Sequence, residues 1–398
     1  MDNISVSTTD VRIERHAKQL SRQLKLLRDK LFPPLSQKTL RTFSSGEAAQ
    51  MIGVSDGYLR QLSLDGKGPQ PELSSNGRRS YTLGQINELR HYMAKLKPKD
   101  ALSYLPWRRP GEKLQTVAVT NFKGGSAKTT STLYLAQYLA LEGYRVLAID
   151  LDPQASLSSM LGVQPEFDLS DGDTLYGAIR YDEARKPLKD IVRKTYFDGL
   201  DLVPGNLELM EFEHETPRAL NDRQKPAELF FRRVGVAIAE VEADYDVVVI
   251  DCPPQLGYLT LGAVCAATSL LITIHPQMVD VASMSQFLLM TSDLLSVVRR
   301  AGGDLQHDFI KYIVTRHEPF DAPQSQIVAL LRSLFGDDVL TATILKSTAI
   351  ADAGLTKQTL YEIEKGQVRR STYDRALESV NAANGEVLAG IHKAWGRT

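Results

Sequence analysis

The sequence predicts an α/β chain: a doubly wound, mostly parallel sheet preceded by a small, mainly α domain. Two observations in the rear portion carry the sheet. Apolar, largely β-branched runs at residues 117–119, 146–149 and 247–250 read as strands buried on both faces. Helix-like segments with Pro or Gly punctuation alternate with them, as crossover connections between parallel strands require. A third observation sets the front apart. Through Pro110 there are 19 Lys and Arg against 10 Asp and Glu, whereas the remainder has 28 against 38. A basic front and an acidic rear point to an anionic partner, such as nucleic acid, at the front.

The 398 residues, 43% hydrophobic and 24% charged, suit two or three globular domains. No uninterrupted apolar run reaches the roughly 20 residues that span a bilayer. The first residues lack the basic and apolar regions of a secretory signal, so a cytoplasmic location is expected. Cys252 and Cys265 make neither a disulfide framework nor a metal-ligand spacing, and both read as small buried residues. The expected divisions are 1–40, a basic arm; 41–98, a DNA-binding domain; 99–113, a linker; and 114–398, the α/β domain.

In the arm, Val11, Ile13, Leu20, Leu24, Leu27 and Leu31 recur at mostly helical spacing among Lys and Arg, and Pro33-Pro34 ends the run. This basic amphipathic helix suits a dimerisation arm, a DNA-contacting arm or a helix packed on its own domain. Next, Ser44 or Ser45 can cap a helix through Met51, Gly53 makes a turn, and Ser55 can cap a second helix. In such a helix-turn-helix the second helix enters the major groove N-terminal end first, placing Asp56, Gly57, Tyr58 and Arg60 near DNA. Residues 75–82 follow as a turn with Arg78 and Arg79 beside a short strand, and a closing helix covers residues 83–96. Helix-turn-helix, basic hairpin and closing helix resemble the winged modules of the MerR type, with Arg78 and Arg79 in the wing's place. Three prolines and many charges between residues 95 and 111 read as a linker, an extended one being one option, with Trp107 packed on a neighbour.

The strand at residues 117–119 leads into Thr120-Asn-Phe-Lys-Gly-Gly-Ser-Ala-Lys-Thr-Thr130 and then a helix. Strand, glycine loop and helix make a phosphate cradle: loop N–H groups across Gly124, Gly125, Ser126, Ala127 and Thr130 face an anion. Lys128 adds charge, and Thr129 offers a hydroxyl to Mg²⁺. Phe122 and Ala127 stand where the common pattern has glycine. A methyl group at Ala127 is harmless only if the backbone there keeps φ below zero and does not crowd the phosphate. Two further strands end in carboxylates, Asp150 and Asp152 after the second, and Asp251 after the third. Ligands in such folds sit outside the strands' carboxyl ends, so these groups are aimed at the nucleotide. Strands at 269–275 and 309–315, a helix at about 280–300, a short strand at 341–345 and a helix at 373–395 complete the domain. The run 346–354 approaches the base or a dimer interface.

Lys123-Gly-Gly-Ser-Ala-Lys-Thr-Thr130, Asp150-Leu-Asp-Pro-Gln154 and Asp251-Cys-Pro-Pro254 together resemble the ParA family of partition ATPases, P-loop NTPases with a deviant Walker A loop. The resemblance runs from residue 114 to the end, and the front domain makes it closer to the long plasmid members, especially the RepA group of repABC systems. It implies a slow, Mg²⁺-dependent ATPase with ATP as its nucleotide. Lys128 would bind the β- and γ-phosphates, Thr129 and Asp251 the metal. Lys123 would reach the partner's nucleotide across a homodimer. Asp152 would orient the attacking water, with Asp150 in support. It also implies non-specific DNA binding by the ATP-bound dimer, a ParB/RepB-like centromere-binding partner, nucleoid association, and repression of its own operon; the basic residues Arg299, Arg300 and Arg332 are the candidate contacts for that DNA binding. Two alternatives stay open. One is a transcription regulator that uses ATP as a signal. Another is a MinD-like positioning ATPase, although residues 385–398 are short and carry few basic residues. A nitrogenase-type iron protein would need cluster cysteines.

Overall fold

The computed structural model describes residues 8–31, 38–73, 77–121, 123–221, 229–303, 305–364, 366 and 368–397. Phe122, Ser75, Asn76, Pro33-Pro34 and the side chains of Leu24, Leu27 and Leu31 lie outside the described residues. The chain divides into two units, residues 1–39 and 40–398. The first holds the helix Thr9–Leu31, on which Val11, Ile13, Leu20 and Leu26 are exposed.

The second unit opens with the helix-turn-helix. Ser44 closes a capping box with Glu47 at the start of the helix Ser45–Ile52, and Gly53 ends it at φ 80°. A left-handed residue is what such a helix end needs, and glycine takes it without a Cβ penalty. Ser55 accepts from the Tyr58 N–H and caps the helix Asp56–Leu64. Three short antiparallel strands, β1 (Phe43–Ser44), β2 (Glu72–Leu73) and β3 (Arg79–Tyr81), pair in the order β1-β3-β2. The helix Leu83–Leu96, with a Thr82–Gln85 capping box, closes the domain.

Seven strands form the main sheet: β4 (Gln115–Thr120), β5 (Val146–Asp150), β6 (Arg193–Lys194), β7 (Leu200–Val203), β8 (Val247–Asp251), β9 (Ser269–Ile274) and β10 (Phe309–Val314). Their order is β10-β9-β4-β8-β5-β7-β6, parallel except for β6 against β7. Every residue of β4, β5 and β8 is buried, as continuous apolar runs covered by helices on both faces must be. Strand β4 pairs with β8 and β9, and β5 with β8, so the carboxyl ends of β4, β5 and β8 lie side by side.

Two expectations need correction. No strand forms at 341–345. The Thr341 and Ala342 N–H groups donate to the Glu386 carboxylate of the helix Arg370–Ala394, at 2.8 and 2.6 Å. The segment touches β10 through the Leu340 and Ile344 N–H groups, which donate to the Tyr312 and Val314 carbonyls, and forms isolated bridges alone, Val339 with Tyr312 and Leu345 with His317 just past the strand. Backbone donors satisfied by a side chain have no need of a ladder. Residues 99–113 are not an extended spacer. They carry the helix Ala101–Tyr104, Trp107 donates to the Gly143 carbonyl at 2.9 Å, and Arg397 donates to the Pro106 and Trp107 carbonyls. One apolar core runs from Ile52, Ile86 and Leu89 of the front domain to Leu133, Leu139 and Phe197 of the α/β domain. Arg90, 2% exposed, bridges the two, donating to the Met51 carbonyl at 2.8 Å and the Leu141 carbonyl at 2.5 Å.

Among the described residues one helix, Met278–Arg300, is long and apolar enough by length and composition to cross a membrane. Here its Met284 packs with Ile272, Ile274 and Tyr312 on the sheet.

Candidate functional site

A cavity of about 460 Å³ opens at the carboxyl ends of β4, β5 and β8. It is lined by Gly124, Gly125, Ala127, Lys128, Thr129 and Thr130 of the loop, by Asp152, and by Ile350, Gly354 and Gln358 from the rear of the chain. A larger cavity, about 650 Å³, lies under the helix Met278–Arg300 and is walled mainly by Leu, Ile, Val and Phe. It lacks the convergent charged groups of the smaller one.

The loop is held from below. Asn121 donates to the Thr273 carbonyl at 2.6 Å and accepts from the Lys123 N–H at 3.0 Å. Buried Ser126 accepts from Thr273, and its carbonyl accepts from Thr315. Arg316, which sequence reasoning missed, donates to the Gly125 carbonyl at 2.8 Å. The signal that could have found it is its place just past the carboxyl end of β10, the side on which ligands bind.

Four described non-glycine residues have positive φ: Ala127 at 66°, Ala155 at 52°, Arg316 at 54° and Lys357 at 54°. Ala127 lines the cavity, Ala155 follows the Asp152 turn, Arg316 bonds the loop and Lys357 precedes Gln358. Strained backbone gathered at one cleft is characteristic of functional sites. For Ala127 this is also the outcome that its side chain disfavours, since the condition of negative φ is not met.

Lys128 is 7% exposed, and its ammonium donates to the Lys123 carbonyl at 3.1 Å. Burial lowers its pKa, against the raising pull of Asp251, so the site favours an anion that would restore the charge. Asp251 is fully buried, and one oxygen accepts from Thr132 at 3.4 Å while the other has no hydrogen-bond partner. Burial, then Asp150, push its pKa well up, and the Thr129 side chain counters them. An orphaned buried carboxylate oxygen beside a threonine hydroxyl is a donor set that fits a hard cation such as Mg²⁺.

Asp152 reaches the cavity, with one carboxylate oxygen accepting from the Gln154 N–H at 2.9 Å. Asp150 does not line it. Fully buried, Asp150 accepts from the Asp152 N–H and from Ser158, and its pKa rises to about 6 through burial. Its carboxylate ties the turn that carries Asp152 to Ser158. Lys123 is paired within its own chain, its ammonium meeting Asp280, whose other oxygen contacts His275 at 3.1 Å.

The residues expected at DNA fall in separate places. Tyr58 and Arg60 ride the second helix of the helix-turn-helix, Arg60 exposed and Tyr58 half-buried under Lys97. Arg78 is exposed just ahead of β3, and Arg79 is half-buried within it. Asp56 accepts from the Ser45 hydroxyl and ties the two helices together. Arg299 and Arg300 are exposed at the end of the helix Met278–Arg300, and exposed Arg332, on the helix Ala322–Phe335, donates to the Thr341 carbonyl at 2.6 Å. Cys252 is buried and Cys265 half-buried, both free thiols.

Residues 114–300 match the family described as AAA domain. The chain is 54% identical over 385 residues to a replication protein A of Rhizobium rhizogenes, covering 97% of this chain and 95% of that protein. It is 29% identical to Protein SopA of Escherichia coli K12 over 87% of this chain and 84% of SopA. A solved structure titled Partition Protein superposes with a TM-score of 0.67 over 96% of this chain and 99% of that one, at 17% identity, a likeness of fold. The strand-loop-helix cradle, its carboxylate-ended neighbours and these relatives lead to one conclusion: the chain belongs to the ParA family of plasmid-partition ATPases, beside the replication protein A proteins.

Proposed function

We propose that this protein is an ATP-hydrolysing switch that drives plasmid segregation and represses its own operon. The observation that carries the proposal is the convergence of Lys128, Thr129 and Asp152 on one cavity at the carboxyl ends of three adjacent parallel strands, with the buried Asp251 carboxylate interacting with Thr129 and Lys128 behind it. Lys128 and the loop N–H groups bind the phosphates of ATP, and Thr129 and Asp251 hold Mg²⁺. The metal supplies positive charge to the phosphate oxygens. Asp152 orients the water that attacks the terminal phosphorus, and Lys128 compensates the charge that develops on the leaving oxygens. Lys123 exchanges its own-chain partner Asp280 for the nucleotide of a second subunit, so hydrolysis belongs to an ATP-dependent dimer and is slow.

In the ATP-bound dimer Arg299, Arg300 and Arg332 meet DNA phosphates without sequence preference. A ParB/RepB-like protein stimulates hydrolysis and release. The protein works in the cytoplasm, on the nucleoid when ATP is bound. Operator DNA is read by Tyr58 and Arg60 in the major groove, with Arg78 and Arg79 on the backbone.

Steady-state ATPase assays with DNA and the centromere-binding partner test the first half. Lys128→Ala is expected to abolish turnover, and turnover left intact would refute the site. Operator binding tests the second half: the combined change of Arg60, Arg78 and Arg79 to Ala weakens it, and unchanged affinity would refute the front-domain assignment.

A further inference from the structure

Asp152 has no rigid element of its own. It lies in the turn between β5 and the five-residue helix Ser156–Met160, next to the left-handed Ala155. Three segments nevertheless meet just behind that turn on a single hydroxyl. Ser158 donates through its Oγ to Asp150 Oδ2 at 2.7 Å and through its N–H to the same oxygen at 2.8 Å. The Oγ in turn accepts from the Gly205 N–H at 2.9 Å. Asp150 Oδ1 accepts from the Asp152 N–H at 3.2 Å. Asp150 and Ser158 are both fully buried, and neither they nor Gly205 line the nucleotide cavity.

Gly205 closes the arrangement sterically. A Cβ there would lie 2.8 Å from the Asp150 carbonyl oxygen and 3.1 Å from that of Asp152, both backbone atoms that have little room to yield. The segment after β7 is thus seated directly against the Asp152 turn, at a distance that only glycine permits.

We infer that Ser158 and Gly205 are positioning residues for hydrolysis: with Asp150 they form a buried clamp that fixes Asp152 against the phosphate loop. The inference rests on the reading of Asp152 as the residue that orients the attacking water. A serine hydroxyl suits the task because it donates to the carboxylate and accepts from the glycine N–H at once. Without it the Gly205 N–H loses its partner, and the Asp152 turn is tied to β5 through fewer bonds. A displacement of an ångström at a group that positions a reactant costs one to two orders of magnitude in rate. Binding of ATP, made by the loop on the other side of the cavity, is left in place.

The test is steady-state ATPase kinetics, with a Kd for a non-hydrolysable ATP analogue, on Ser158→Ala, Gly205→Ala, the double variant and Asp152→Ala. Ser158→Ala and Gly205→Ala are each expected to lower kcat roughly tenfold or more while KM and the analogue Kd stay within about twofold. The double variant should lose no more than the worse single one, because both act through one turn. Analogue binding certifies a folded site. If Gly205→Ala does not fold, Ser158→Ala decides alone. Wild-type kcat in Ser158→Ala, or a raised KM at unchanged kcat, would overturn the clamp, provided that Asp152→Ala has lost hydrolysis. Full hydrolysis by Asp152→Ala would instead overturn the reading of Asp152, and the inference with it.

Discussion

Replacing Ala127 by glycine should make the protein more stable. At φ 66° and ψ 28° the alanine holds the residue just before the helix Lys128–Leu141 in a left-handed conformation. For a residue with a Cβ this conformation costs about 1–2 kcal/mol. Glycine is free of that cost but loses more conformational entropy on folding, about 0.4–1 kcal/mol. The difference leaves a gain of about 0.5–1 kcal/mol for Ala127→Gly, a rise in melting temperature of about 1 °C for a chain of this size. Ala127→Val provides the opposite arm, since a β-branched residue tolerates positive φ worse than alanine does. Thermal and urea unfolding of the nucleotide-free protein would read both changes. Glycine that destabilises, or valine that is neutral, would refute the left-handed assignment at residue 127 and the strain inferred from it.

Three other outcomes follow from the same geometry. Asp251→Asn, which replaces a buried carboxylate lacking a partner on one oxygen, should raise the Mg²⁺-free melting temperature while abolishing hydrolysis; a lowered melting temperature would show the carboxylate to be well compensated. Arg90→Ala removes a buried guanidinium bonded to Asn87, Met51 and Leu141, and should cost about 3 kcal/mol or more in urea unfolding. A loss below about 1 kcal/mol would mean that the front domain is held by its apolar contacts alone. Asp280→Asn frees Lys123 from its own-chain partner and should strengthen ATP-dependent dimerisation in sedimentation at low protein concentration; a weaker dimer would place Asp280 in the assembled interface instead.

Much of this protein is written locally. The caps at Ser44 and Ser55 and the turn at Gly53 are satisfied within a few residues of themselves, so the helix-turn-helix is legible from residue types alone. The runs that became β4, β5 and β8 are apolar at nearly every position because both faces of a central parallel strand are covered, and their carboxylates mark the ligand side. The phosphate loop and its two lysines belong to the same class of signal.

Other features depend on residues far apart in sequence. Strand β7 is four residues long and carries Asp201, too brief and too polar to read alone; it exists because β5 lies beside it. Nothing local tells Asp150 from Asp152, yet packing buries the first and leaves the second at the cavity. The pairing of Lys123 with Asp280, the bond from Arg316 to Gly125 and the seat of Gly205 against β5 each join segments that meet only when the sheet is assembled. The sequence alone therefore determined which chemical groups the site holds, because helix caps, strands and glycine loops are short-range physics. Their protonation tendencies, own-chain partners and clearances were decided by the tertiary structure, since burial and contact across the sheet are properties of no single segment.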